Sequence, residues 1–400
     1  MKFVISQADF SRALAAGSKS LLSRANLPIL SNILIETSAK KITVLSTDLE
    51  TATQVTLGCK VSGEGKTTIT GKTLLEYVAA LPEGEVEVEK LGEELLVGTR
   101  DYKARFTTMP AEEFPAIPRI EKGISFEIGM ADFARTINRV AFCAAQDEGR
   151  PILTGVLFDV GKGKIGVVAT DGYRLSFDEV KILGGEGITA FRIIVPAKAL
   201  IEVARIITEA GNGLGDRSKG GEGKIRVTVS AALNQINFKF GDERGAGAYV
   251  EFISRLIEGE FPNWQKIIPA SFSTKASVER QELTKLIRIS SIFARESGNI
   301  IKFKLLQQAT GVGKAKTNAS ISVTAQGNQV GSTEVNCEAQ MTGGGGEIAF
   351  NFRYVLEILS VMEDEMVTFE MNESLNPGKI TGEDARDPFF HIIMPVRLQA

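Results

Sequence analysis

Apolar and polar residues alternate along this chain in short runs, and at intervals the period lengthens. Lys41-Ile42-Thr43-Val44-Leu45, Val86-Glu87-Val88-Glu89 and Lys224-Ile225-Arg226-Val227-Thr228-Val229 repeat every second residue, the pattern of strands with one face buried. Elsewhere, at about 100° per residue, Phe10, Ala13, Leu14, Gly17 and Leu21 fall on one side of a helix. Phe133, Ile137, Val140 and Ala141 do the same, as do Leu283, Leu286 and Ile287. Second helices are predicted near Gly71, at Pro196 and near Asn351, with Pro196 at the first helical position, where its missing N–H is no loss. The order is strand, helix, several strands, then the same again, which is an α+β pattern.

This order recurs because the sequence repeats. A shift of 123 residues lays Ala8-Asp9-Phe10-Ser11-Arg12-Ala13-Leu14 on Ala131-Asp132-Phe133-Ala134-Arg135-Thr136-Ile137. It also lays Pro28-Ile29-Leu30 on Pro151-Ile152-Leu153 and Thr47-Asp48 on Thr170-Asp171, with no gap from Phe3 to Asp48. A fainter third copy keeps the order of elements: Phe272 to Phe293, Ile321-Ser322-Val323, then Glu347 to Met362. The first two copies end on Glu113-Phe114-Pro115 before Pro118 and Glu260-Phe261-Pro262 before Pro269, read as linkers. Three domains follow, 1–120, 121–270 and 271–400, each a doubled unit of strand, helix and antiparallel strands. The glycine-rich stretches Gly211 to Gly223 and Gly343 to Gly346 read as flexible connections, and Thr310 to Gly346 is weakly patterned.

Composition narrows the function. A length of 400 residues suits several domains, and 43% hydrophobic with 24% charged residues is ordinary for a globular protein. There is no 18-residue apolar run and no signal peptide at the N-terminus, which predicts a cytoplasmic protein. Cys59, Cys143 and Cys337 are too scattered for a disulfide framework or a zinc site, and the single histidine, His391, reads as a strand residue. Neither metal nor cofactor is expected.

The net charge is −3, yet its distribution is uneven. Over windows 7–24, 131–145 and 279–295 the charge is +2, +1 and +2, leaving −8 for the remainder. On the first helix of each copy, Arg12 and Lys19, Arg135 and Arg139, and Lys285 and Arg288 oppose the apolar side. A cationic face repeated three times on an otherwise acidic chain is suited to phosphates. With Trp264 the only tryptophan and no aromatic stripe beside these cations, loose contact to duplex backbone fits better than stacking on single strands.

Some motifs look like chemistry without its context. Gly161-Lys162-Gly163-Lys164-Ile165-Gly166 is followed by strand residues where a phosphate-binding helix is required, and is expected to be a hairpin turn. Gly65-Lys66-Thr67 and Gly71-Lys72-Thr73 lack the earlier glycine of a phosphate loop. Asp48 and Asp171 stand at equivalent strand ends and are predicted to hydrogen-bond turn amides. Asp147-Glu148 and Glu363-Asp364-Glu365 read as solvated loops. A nucleotide-dependent enzyme and a scaffold that binds only proteins remain the alternative classes.

The chain resembles the bacterial sliding clamps, the beta subunits of the replicative DNA polymerase. The resemblance is carried by Arg24-Ala25-Asn26-Leu27-Pro28-Ile29-Leu30, Arg150-Pro151-Ile152-Leu153-Thr154-Gly155 and Ala169-Thr170-Asp171-Gly172-Tyr173-Arg174-Leu175. Gly259-Glu260-Phe261-Pro262, Phe352-Arg353-Tyr354-Val355-Leu356 and Met394-Pro395-Val396-Arg397-Leu398 add to it. It implies three clamp domains per subunit, paired head to tail in a homodimer whose six domains close a ring, helices inside and sheets outside. The implied function is non-enzymatic: the ring encircles duplex DNA and tethers the replicative polymerase, conferring processivity.

The same resemblance implies site residues. DNA contacts would be Arg24, Lys198 and the loop around Arg150, beside the helix cations named above. The dimer interface would join Lys103, Arg105 and Phe106 to Ile292, Phe293, Glu334 and Glu338. A cleft for short peptide motifs of polymerases and the clamp loader would use Leu153, Thr170, Gly172, Tyr173, Arg174, Leu175, Pro262, Ile267, Ile392, Met394, Pro395, Val396 and Arg397.

Overall fold

The computed structural model describes all residues except 23–26, 118, 121, 186, 211–222, 243–246, 308–318, 328 and 398–400. Arg24 and most of the stretch Gly211 to Gly223 therefore lie outside the described residues, as do 310–318 of the weakly patterned segment. The chain divides into two compact units, the first of residues 1–137, 159–165 and 180–258, the second of 138–158, 166–179 and 259–400. Six α-helices are described: α1 (Gln7–Gly17), α2 (Gly71–Ala80), α3 (Met130–Val140), α4 (Ala197–Ala210), α5 (Arg280–Ala294) and α6 (Phe352–Val361). No helix among the described residues is long and apolar enough to cross a membrane.

The repeat is reproduced element by element. Helix α1 and helix α3 occupy equivalent residues at the 123-residue shift. So do the 3-10 turns Pro28–Ser31 and Pro151–Thr154. The strands Asn32–Ser38, Lys41–Thr47 and Thr51–Gly58 correspond to Gly155–Gly161, Lys164–Thr170 and Arg174–Lys181. The structural register thus continues past Asp48 to the end of the fourth strand. Ser6 caps α1 by accepting from the Asp9 amide at 3.1 Å, and Asn351 caps α6 by accepting from the Arg353 amide at 3.0 Å. Pro196 ends the strand Phe191–Pro196, and α4 starts one residue later, so the proline precedes the helix and does not open it.

In the first unit, a five-stranded sheet orders Lys60–Gly63, Lys2–Ser6, Glu85–Leu91, Glu94–Gly98 and Lys103–Thr107. An eight-stranded antiparallel sheet orders Gly123–Gly129, Lys224–Ser230, Gln235–Gly241, Tyr249–Arg255, Thr51–Gly58, Lys41–Thr47, Asn32–Ser38 and Gly65–Thr70. Phe3 meets Phe10 edge-on at 5.8 Å, and Phe133 meets Phe238 at 5.6 Å, so the predicted apolar sides of α1 and α3 do face sheets. Each of these rings is buried, and burying one stabilises by roughly 1.5 to 3 kcal/mol.

In the second unit, Arg174–Lys181 pairs with Phe390–Ile393, and the sheet continues through Gly378–Thr381, Met366–Met371 and Thr274–Glu279. From there Gly331–Thr342, Ala319–Gly327, Ile300–Gln307 and Gly346–Asn351 complete the order. Its core gathers Phe303, Phe350 and Phe369 with α5 and α6 residues such as Ile287 and Ile358. Two turns bear on the sequence reading. Lys162 (φ 53°) and Gly163 (φ 73°) form the expected two-residue hairpin turn. Gly343 (φ 98°) is more constrained than a flexible connection, since a Cβ there would lie 2.1 Å from the Ser273 carbonyl oxygen.

Candidate functional site

The cleft residues implied by the resemblance all fall in the second unit. Thr170 ends one strand and Arg174 begins the next, and a turn between them is closed by side chains. Thr170 Oγ1 donates to the Arg174 carbonyl at 2.6 Å and accepts from the Gly172 amide at 3.0 Å. Asp171 Oδ1 accepts from the amides of Tyr173 (2.9 Å) and Arg174 (3.0 Å), the role expected of it; Asp48 Oδ1 likewise accepts from the Glu50 amide at 3.0 Å. Gly172 sits at φ 89°, which a side chain would strain. The turn presents Tyr173, 59% exposed. Its carbonyl accepts from the Met394 amide at 2.8 Å, and Val396 donates to the Ala349 carbonyl at 2.8 Å. Met394, Pro395 and Val396 are therefore held half-buried beside the turn, with Arg397 exposed at the end.

Arg174 is the charged pivot of this region. Its side chain is 8% exposed and contacts Asp171 at 3.1 Å, Glu357 and the Phe142 carbonyl at 3.1 Å. Its guanidinium lies over Tyr354 at 4.6 Å and Phe142 at 5.2 Å. With these partners the cation is neutralised and offers no free charge. Leu153 is half-buried, while Pro262 and Ile267 are exposed on the segment that precedes Thr274–Glu279. That segment is anchored by Trp264, stacked on Phe177 at 5.2 Å, with Phe390 stacked on Phe177 at 5.0 Å.

Leu175 and Ile392 pair across the junction of Arg174–Lys181 with Phe390–Ile393, at 0% and 1% exposure, so both are interior residues of that sheet. Behind them, on the opposite face, Ser176, His391 and Cys143 form a closed cluster. His391 Nδ1 is 2.7 Å from Ser176 Oγ and 3.7 Å from Cys143 Sγ. Burial, with the Arg174 charge second, pushes the imidazole pKa down to about 3, and burial pushes the Cys143 thiol up to about 12. Tyr354, Phe142 and Glu357 were not singled out from sequence. Tyr354 belonged to a family-like segment, but nothing in local spacing ties it to Arg174.

The helix cations divide into two kinds. Lys285 and Arg288 on α5 and Lys198 on α4 are exposed and have no ion pair among the described residues. Arg12 pairs with Asp9, and Arg135 pairs with Asp132 at 2.9 Å, the same i,i+3 contact in both copies. Arg150 donates to the Asp171 carbonyl at 2.7 Å. Two residues contradict the facing expectation. Helix α1 ends at Gly17, so Leu21 and Lys19 lie beyond it; Lys19 is 16% exposed and reaches Glu209 at 3.1 Å. Arg139 is 7% exposed, with Asp387 at 2.7 Å, Asp178 at 3.9 Å and the Phe389 ring at 4.9 Å. It belongs to the interior of the second unit because carboxylates distant in sequence reach it there.

The expected interface residues lie on two sheet edges and near the end of α5. Lys103–Thr107 ends the five-stranded sheet, with Lys103 and Arg105 exposed and Phe106 half-buried against Tyr77 at 5.5 Å. In the second unit, Gly331–Thr342 pairs with Thr274–Glu279 only through Gln340, Met341 and Thr342. The stretch with exposed Glu334 and Glu338 is thus paired on one side only among the described residues. Ile292 is 59% exposed, and Phe293 is half-buried.

Repeated strand–helix units on antiparallel sheets, with exposed cations on α4 and α5, define the class: a three-domain DNA clamp fold. Family models of the DNA polymerase III beta subunit match its N-terminal domain at 1–118, its central domain at 127–263 and its C-terminal domain at 265–397. The chain belongs to that family, the sliding clamps of DNA replication, which are processivity subunits without catalysis of their own. It is 28% identical to the beta sliding clamp of Treponema pallidum over 402 residues, covering all of both chains. It is 27% identical to that of Chlamydia muridarum over 399 residues, covering 100% of this chain and 99% of the relative. The crystal structure of the Thermotoga maritima DNA polymerase III beta subunit superposes with a TM-score of 0.85 at 26% identity, and a Pseudomonas aeruginosa sliding clamp bound to griselimycin with 0.84 at 24%; both cover 100% of each chain.

Proposed function

We propose that two copies of this chain join head to tail into a ring around duplex DNA, with domains 1–120, 121–270 and 271–400 in each copy, and that the ring tethers the replicative polymerase in the cytoplasm. The observation that carries the ring is the pair of half-paired strand edges of opposite charge. Lys103 and Arg105 stand on one, Glu334 and Glu338 on the other, with Phe106 and Ile292 as apolar neighbours. Head-to-tail contact of unlike edges closes when the rotation permits, and two such contacts close a dimer. Lys198, Lys285 and Arg288 supply sequence-independent contact to phosphates, joined by Arg12, Arg135, Arg150 and Arg24.

The second site is the cleft of Leu153, Thr170, Gly172, Tyr173, Arg174, Pro262, Ile267 and Met394 to Arg397. Its apolar walls and buried cation suit short linear segments of polymerases and of the clamp loader. The test of the ring is topological. The protein should stay on closed circular DNA after loading and leave once the circle is cut; equal retention on linear and circular DNA would refute it.

A further inference from the structure

A glutamate recurs at one place in the second helix of every copy. Glu76, Glu202 and Glu357 are the sixth residues of α2, α4 and α6, each two residues after a buried aliphatic side chain, Leu74, Leu200 or Val355. In two of the three copies this glutamate reaches back to a cation of the preceding copy. Glu202 lies 3.9 Å from Lys19, which Glu209 also holds at 3.1 Å, and Glu357 binds Arg174. The two cations come from different positions yet occupy one place: Phe142 is the equivalent of Lys19 in the second copy, and Arg174 donates to the Phe142 carbonyl at 3.1 Å. That place lies just past the first helix, since α1 stops at Gly17 and α3 at Val140.

The same two joins share a strand register. Thr53 stands opposite Phe252, and its equivalent Ser176 stands opposite His391. Followed through the sheets, the next such pair is Thr333 with Ala104 of a second copy. Val335 is opposite Val323 as Val55 is opposite Val44, and Ala104 is opposite Val97 as Phe252 is opposite Phe238. Both strands have an open side there among the described residues, and the register sets Glu334 opposite Lys103 of the second copy. Glu76 is the glutamate left over. Its one ion pair among the described residues is Lys72 of its own helix at 4.0 Å, and its side chain is 67% exposed. In the third copy the place past the first helix is marked by Ile292, the equivalent of Phe142. Arg295 stands one turn further on, at the C-cap of α5, exposed and without an ion pair among the described residues.

We propose that Glu76 pairs with Arg295 of a second copy, completing between copies the clasp that the chain makes twice within itself. This rests on the reading of the chain as a head-to-tail ring. Sedimentation over a series of concentrations tests it through the dimer dissociation constant. Glu76→Arg should raise that constant about tenfold, because a ring loses two clasps and gains two like-charge contacts. Adding Arg295→Glu should reverse the rise, and Lys72→Gln, which removes only the contact inside α2, should cause none. If Glu76→Arg does not fold, Glu76→Gln replaces it, with a rise of about threefold to which Arg295→Gln adds nothing. A constant unmoved by Glu76→Arg, while Lys103→Glu with Arg105→Glu still separates the copies, would overturn the clasp and leave the ring standing. Weakening that Arg295→Glu does not reverse, or that Arg288→Glu reverses instead, would also overturn it. A natural chain that stays monomeric throughout the series would remove the ring and the clasp together.

Discussion

His391 Nδ1 lies 2.7 Å from Ser176 Oγ, in a pocket of the second unit that admits no solvent to the ring. The unfolded chain takes up a proton on this imidazole near pH 6.5, whereas the folded protein does so only near 3. Between those values the unfolded state binds more protons, so stability falls as the pH drops, by about 1.4 kcal/mol per unit from this group. His391→Gln should flatten the acid limb by that amount. Urea unfolding at intervals between pH 7.5 and 4.5 measures it; parallel limbs would mean that the ring is accessible.

Arg139 and the pair Lys285 and Arg288 should behave oppositely when neutralised. Arg139→Ala removes the buried guanidinium that Asp387 contacts at 2.7 Å and should cost about 3 kcal/mol of stability. Lys285→Gln with Arg288→Gln should leave the melting temperature nearly unchanged. It should lower the slope of log affinity for short duplex DNA against log salt by about 0.9 for each cation in contact. Thermal melting and a salt titration of DNA binding distinguish the two.

The cleft is best probed at its surface. Met394→Ala and Tyr173→Ala should each weaken a fluorescent polymerase-tail peptide by about tenfold, or about 1.4 kcal/mol, without changing the solution mass. Leu175→Asp would be uninformative, because a carboxylate at a fully buried position disrupts the strand junction itself. Unchanged peptide affinity in both surface variants would place the site elsewhere.

Charge reversal at one edge should open the ring. Lys103→Glu with Arg105→Glu sets like charges against Glu334 and Glu338, and light scattering should report a monomer. Adding Glu334→Lys and Glu338→Lys should restore the dimer. A dimer that persists in the first variant would rule out this pairing of edges.

Much of the architecture was legible because the repeat is gap-free: once Phe10 and Phe133 were matched, the equivalence of helices and hairpins and the turn roles of Asp48 and Asp171 followed. Helical facing read Lys285 and Arg288 well, since both lie mid-helix with core residues beside them. It misread Lys19 and Arg139. The first lies past the helix end at Gly17, a stop hidden by apolar spacing that continues to Leu21, and the second is drawn inward by Asp387, whose position depends on tertiary folding. For the same reason the environment of Arg174 was hidden. Glu357 and Tyr354 come from α6 and Phe142 from the turn Ala141–Cys143, and a sequence pattern carries no record of which elements meet.

The intrahelical pairs Arg12–Asp9 and Arg135–Asp132 bear on movement. Under the proposed contact of Arg12 and Arg135 with phosphates, each arginine has its own alternative acceptor three residues away, so losing a phosphate would return it to an aspartate and not strand it. Breaking and remaking such contacts leaves the energy along the duplex nearly level, and a level path means low friction. One-dimensional diffusion of a loaded ring should therefore slow when Asp9 and Asp132 are replaced by asparagine, even as equilibrium affinity for DNA rises.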